Sequence, residues 1–129
     1  MKVKRFKKGQ LICKEDSPGN EMYIVVTGKV IVFKTVEDQQ LDLAQLTSTN
    51  FFGEICLLTG DRRTATVQAI VDTEVLALTK DDLLKKMQED PKFALTFVTT
   101  MARRLTRAHK MISNLADVKR SLELAYFGQ

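Results

Sequence analysis

The stretch FFGEICLLTGDRRTATV, residues 51–67, decides how this chain is read. Gly53 lets the backbone turn sharply or come close to a bound molecule. The segment EICLL, residues 54–58, can form about one and a half turns of helix. The first N–H groups of such a helix have no intrahelical partner, so its start attracts an anion, a phosphate above all. Arg63 follows Gly53 by ten residues and can return to the same spot with a planar fork of donors suited to phosphate oxygens. Glu54 would be repelled by a phosphate unless it accepts hydrogen bonds from hydroxyls, such as those of a ribose. An acid for a sugar, with a helix start and an arginine for a phosphate, describes a nucleotide. The competing reading is a surface Gly-Glu turn beside an unrelated arginine pair.

Composition narrows the field around that stretch. With 129 residues there is room for one domain with a real core, and 44% hydrophobic with 28% charged residues is ordinary for a globular protein. No run approaches the roughly 18 apolar residues of a membrane span. The opening MKVKRFKKGQ is basic but lacks the apolar segment of a secretory signal, so a cytoplasmic location is expected. A net charge of +4 does not force nonspecific nucleic-acid binding. Cys13 and Cys56 are too few for a disulfide framework and are expected to be free thiols. His109 is the only histidine, and no C-x-x-C or Ser/His/Asp set is available, so neither metal-dependent nor triad chemistry is expected. The expectation is a protein that is not an enzyme and carries no metal or cofactor.

Upstream and downstream of residues 51–67 the pattern is that of short strands. Residues 3–6 and 11–13 are two short strands, and Pro18-Gly19 marks a turn. MYIVVT (22–27) and KVIVFKTV (29–36) are β-branched, with period-two alternation in the second. Residues 37–40 form a polar hairpin tip before an alternating strand over 41–46. Residues 65–71 and 74–78 are two more strands. Seven or eight short strands over residues 1–79 predict a mainly β, double-sheet β-roll of jelly-roll type.

Helices follow over about 80–127. Thr79 can cap the first, with Asp81 and Asp82 in its first turn. Pro91 opens a second that meets no Pro or Gly before Gly128, about 35 residues or roughly 50 Å. Val98, Met101, Leu105, Ala108, Ile112 and Leu115 alternate spacings of three and four; Lys119 interrupts before Leu122 and Tyr126 resume. That heptad stripe predicts a helix that buries one seam against a partner helix, giving a homodimer. Arg103, Arg104, Arg107 and Lys110 are read as a solvated face rather than a nucleic-acid patch.

Residues 51–67 resemble the phosphate-binding cassette of the cyclic nucleotide-binding domain family, through Phe52-Gly53-Glu54 and Arg63-Thr64-Ala65-Thr66-Val67. GEICLLT and RRTA are similar to the cassettes of hyperpolarisation-activated channels. Gly9, Ile12, Tyr23, Val25, Gly28 and Val30 follow the family's glycine pattern, with Asp16 where a glycine is usual. MARRL (101–105) and NLA (114–116) resemble the long dimer helix of catabolite-activator-type transcription regulators, whose DNA-reading unit finds no room in this chain. The resemblance implies a sensor in signal transduction for cyclic AMP, or alternatively cyclic GMP. It places Glu54 on the ribose hydroxyl, and Arg63, Thr64 and the amides of Gly53, Ile55 and Cys56 on the cyclic phosphate; Phe52 and Ala65 complete the cassette. It also sets Ala108 and His109 where the base is read. The alternative is a degenerate dimerisation module that no longer binds nucleotide; a metalloenzyme of cupin type is disfavoured by the single histidine.

Overall fold

Most of the eight strands form where apolar residues alternate with polar ones, and the two longer helices where the apolar spacing changes to three and four. The structure, a computed structural model, describes residues 1–127, with side chains to residue 125. In chain order the elements are β1 (Lys2–Phe6), β2 (Leu11–Cys13), β3 (Met22–Thr27), β4 (Val30–Val36), β5 (Gln39–Leu46) and β6 (Phe51–Phe52). The short helix α1 (Glu54–Thr59) follows, then β7 (Thr66–Ala69), β8 (Thr73–Leu78), α2 (Lys80–Glu89) and α3 (Pro91–Phe127). The strands pair into two four-stranded sheets, β1-β8-β3-β6 and β2-β7-β4-β5, and every pairing is antiparallel. This is the mainly β, double-sheet roll that the sequence predicts, followed in the chain by helices.

Strand alternation sends one face of each sheet inward. Tyr23, Val25, Phe52, Val75 and Ala77 from the first sheet meet Cys13, Val30 and Val67 from the second in one buried cluster. Val25, Val30 and Val75 are 1% exposed or less. Burying each such side chain contributes about 1.5–3 kcal/mol, which is what holds the two sheets together.

The β4–β5 hairpin is tighter than the polar tip expected over 37–40. Glu37 (φ 52°) and Asp38 (φ 63°) alone make the turn, and Gln39 and Gln40 already pair with Val36 and Thr35. A two-residue loop with both φ values positive matches the right-handed strand twist, so the ladder closes up to it although neither residue is the Asn or Gly such turns favour. β6 is a strand of two residues that no periodicity could mark; it exists because Phe51 and Phe52 pair with Ile24 and Tyr23.

The helix ends are built as their sequences suggest. Before α2, the Thr79 Oγ1 accepts from the Asp82 N–H at 3.2 Å, while Asp82 Oδ2 accepts from the Thr79 N–H at 3.0 Å, a reciprocal cap. Ahead of α3, the Asp90 carboxylate accepts from the Phe93 N–H at 3.2 Å, with Pro91 at the first helical position.

The chain divides into two compact units, Met1–Lys85 and Lys86 onward. In the second, the Phe93 and Phe97 rings lie 6.2 Å apart, and the Lys86 ammonium sits 4.8 Å from the Phe93 centroid. From Leu105 to Ala125 every side chain of α3 is exposed, including Leu105, Ile112, Leu115, Val118 and Leu122. No helix of the described residues is long and apolar enough to cross a membrane.

Candidate functional site

The site begins with β6. Its two phenylalanines are buried, and they deliver Gly53 into a left-handed conformation (φ 82°) that ends the strand and starts α1. A side chain at Gly53 would be strained at that φ, and its Cβ would lie 2.7 Å from Nη1 of Arg63. The first backbone bond of α1 runs from the Leu57 N–H to the Gly53 carbonyl at 3.3 Å, so the amides of residues 54–56 precede it. Glu54, the first residue of the helix, is buried (5% exposed) and engaged within the protein.

Arg63 is buried too, at 7% exposed. Its backbone is fixed by two hydrogen bonds to the loop after β2. The Asp16 N–H donates to the Arg63 carbonyl at 2.8 Å, and the Arg63 N–H donates to the Ser17 carbonyl at 2.8 Å. The guanidinium donates through Nη1 to the Gly53 carbonyl at 3.3 Å and lies 5.7 Å from the Tyr23 ring centroid. Tyr23 is held in turn by stacking on Phe52, with centroids 5.2 Å apart. A Cβ on Gly19 would collide with this guanidinium, so glycine there makes room for the arginine. A buried cation is costly unless carbonyls and ring faces compensate it, and this one has both.

The loop after β2 also braces α1 and β4. Asp16 occupies the left-handed region (φ 66°), where the sequence reading expects it to stand in for glycine. Its carbonyl accepts from Arg62 Nη1 at 2.7 Å. Cys56 Sγ donates to the Gly19 carbonyl at 3.1 Å, and Glu15 Oε1 accepts from the Thr35 N–H at 3.0 Å. Arg63 and Thr64 line an open pocket of about 580 Å³ together with Lys14, Glu15 and Asp16 of this loop and Lys34 and Thr35 of β4.

Cys13 and Cys56 are free and buried. Burial pushes the Cys13 thiol up to about 11, against a partly opposing pull from the nearby Arg63 cation. Tyr23 is pushed up to about 12, chiefly by burial, with Cys13 adding to it; its hydroxyl donates to Glu21 at 3.4 Å. Among the described residues there is no group of three or more His, Cys, Asp and Glu that could hold a metal ion.

The structure therefore brings Phe52, Gly53, Glu54, Cys56 and Arg63 into one buried corner, with Thr64 exposed at its pocket edge and Ala65 half-buried. Ile55 is 41% exposed on the outer side of α1. Ala108 and His109 are exposed on α3, in the second unit. Sequence reading missed Lys14, Lys34 and Thr35 at the pocket. The period-two pattern of β4 marks Lys34 as a strand residue but carries no sign of which residues share its pocket.

The fold and the cassette together are a β-roll in which a buried arginine is bonded to the glycine that starts a short helix. The cyclic nucleotide-binding domain model matches residues 3–90. The chain belongs to the cyclic nucleotide-binding domain family. It is 33% identical over 122 residues to the cyclic AMP receptor protein of Thermus thermophilus, covering 94% of this chain and 56% of that protein. It is 36% identical over 93 residues to human cyclic nucleotide-gated channel alpha-3, covering 67% of this chain and 13% of the channel. The crystal structure of Thermus thermophilus catabolite activator protein superposes with a TM-score of 0.82 at 33% identity, over 89% of this chain and 55% of that one. The chain thus spans about half the length of the receptor protein and a small part of the channel.

Proposed function

We propose that this domain binds a 3′,5′-cyclic purine nucleotide, cyclic AMP in preference to cyclic GMP, and transmits occupancy without chemistry on the ligand. The observation that carries this reading is Arg63, a guanidinium 7% exposed and held against the carbonyl of Gly53 at the start of α1. In the proposed complex its fork and the amides of Gly53, Ile55 and Cys56 donate to the cyclic phosphate. The Thr64 hydroxyl adds a donor at the pocket edge, and the Glu54 carboxylate accepts from the ribose 2′-hydroxyl. Charge-assisted donors of this kind are about twice as strong as neutral ones, so the phosphate dominates affinity.

Selectivity for the base is weaker in this reading. Ala108 has no hydrogen-bonding side chain and His109 is exposed on α3, so this reading includes no hydrogen bond to the base. A relative named for cyclic AMP and one named only for cyclic nucleotides are both consistent with a modest preference.

The exposed apolar stripe of α3 supports a second copy as the partner, seam to seam, in a regulator of the catabolite-activator kind. The ligand can shift such a sensor between two states only by its differential affinity for them. Titration calorimetry with both nucleotides tests the binding step. Sedimentation with and without ligand tests the dimer, and a monomer at micromolar concentration in both conditions would remove it.

A further inference from the structure

We propose that Lys14 and Lys34 capture the anionic ligand by charge and draw it toward the cassette, a role outside the cassette signature. The inference rests on the nucleotide-binding reading above. The two lysines are twenty residues apart in the chain yet line the same pocket as Arg63 and Thr64. They meet because β2 and β4 both pair with β7 and because the Thr35 N–H is bonded to Glu15, which ties the loop carrying Lys14 to the strand carrying Lys34. The ionisable residues lining the pocket are three cations (Lys14, Lys34, Arg63) and two acids (Glu15, Asp16), a balance of 3 − 2 = +1. Without the two lysines it becomes 1 − 2 = −1, so the sign of the entrance depends on them.

Their exposure sets the kind of effect. Arg63 is buried and acts on the bound phosphate, whereas Lys14 is exposed and Lys34 half-buried. Such groups act through solvent over a Debye length of about 10 Å at 0.1 M salt. Charges of this sort alter the association rate and its salt dependence more than the dissociation rate.

The test is stopped-flow association of a fluorescent cyclic AMP analogue with wild type and with Lys14→Gln/Lys34→Gln, from about 20 mM to 1 M salt. The double variant should associate about tenfold more slowly at low salt. Its dissociation rate should change less than about threefold, and the association gap should close at high salt. Lys7→Gln/Lys8→Gln makes the same change in net charge outside the pocket lining and should stay within about twofold of wild type. A wild type that binds but a pocket variant that associates within twofold at low salt overturns this inference alone. So does a deficit equal at all salt concentrations, or one that the Lys7/Lys8 variant shares. A wild type that binds neither the analogue nor unlabelled cyclic AMP overturns the binding reading, and this inference with it.

Discussion

Replacing Arg63 by alanine should nearly abolish nucleotide binding while leaving the roll folded. The substitution removes a guanidinium that is 7% exposed, bonded to the Gly53 carbonyl at 3.3 Å and set 5.7 Å from the Tyr23 ring. On the ligand side, a charge-assisted contact to phosphate is lost and the phosphate retains only amides and one hydroxyl. Losing one partner of a buried hydrogen-bonded charge pair costs about 2–5 kcal/mol, which is roughly 30-fold to several thousand-fold in affinity. On the folding side the losses are smaller, because removing the cation also removes its desolvation cost. A cation–π contact of about 0.5–2 kcal/mol and one hydrogen bond are partly offset by that relief. The ligand-free melting temperature should therefore move by only a few degrees. Arg63→Lys should fall between, keeping the charge but losing the planar fork. Glu54→Gln should hurt less than Arg63→Ala, since one acceptor oxygen survives. Calorimetric titration of the four proteins, each checked by a thermal melt, reads both sides. An Arg63→Ala protein that melts as expected and binds within a few-fold of wild type would refute the cassette assignment.

Other consequences are as direct. Cys13 is raised from 9.0 to about 11 and Tyr23 from 10.0 to about 12, so between those values the unfolded chain has lost protons that the folded chain keeps. Stability should then be flat below pH 9 and fall above it, by about 1–2 kcal/mol at pH 10, with Cys13→Val showing a shallower fall in melts across pH 7.5–10.5. Glu37→Asn with Asp38→Gly supplies the residues that a turn with two positive φ values favours and should raise the melting temperature by several degrees; an unchanged or lower value contradicts the turn assignment. Leu105→Glu or Ile112→Glu, at positions 58% and 63% exposed in the single chain, should shift sedimentation from dimer to monomer by placing charges in the proposed seam.

The cassette was legible because its residues are close in sequence and each carries a distinct chemistry. Gly53, Glu54 and Arg63 lie within eleven consecutive positions, and a glycine, a short helix and an arginine leave few arrangements open. The turn at Asp16 was legible only through the resemblance, which marks it as a glycine position; Asp tolerates the left-handed region better than most residues and is found there at φ 66°. Strand identity was readable from alternation, but ends were not. Residues 65, 70 and 71 fall outside β7, and Gln39 and Gln40 fall inside β5, because pairing with a neighbour fixes where a ladder stops. Tyr23 beneath Arg63 and the lysines at the pocket are products of the roll's closure. Nothing local to Lys14 or Lys34 announces that they share a pocket with residue 63.

The central claim, that this cassette takes a cyclic nucleotide, is tested most directly by titrating the wild-type chain with cyclic AMP and with cyclic GMP in parallel. The account predicts saturable binding of about one nucleotide per chain, with cyclic AMP favoured by less than about a hundredfold, because packing against a base discriminates by only about 1–3 kcal/mol. A preference above a thousandfold would mean that a hydrogen-bonding contact to the base is present, and no saturable binding of either nucleotide up to millimolar concentration would contradict the account.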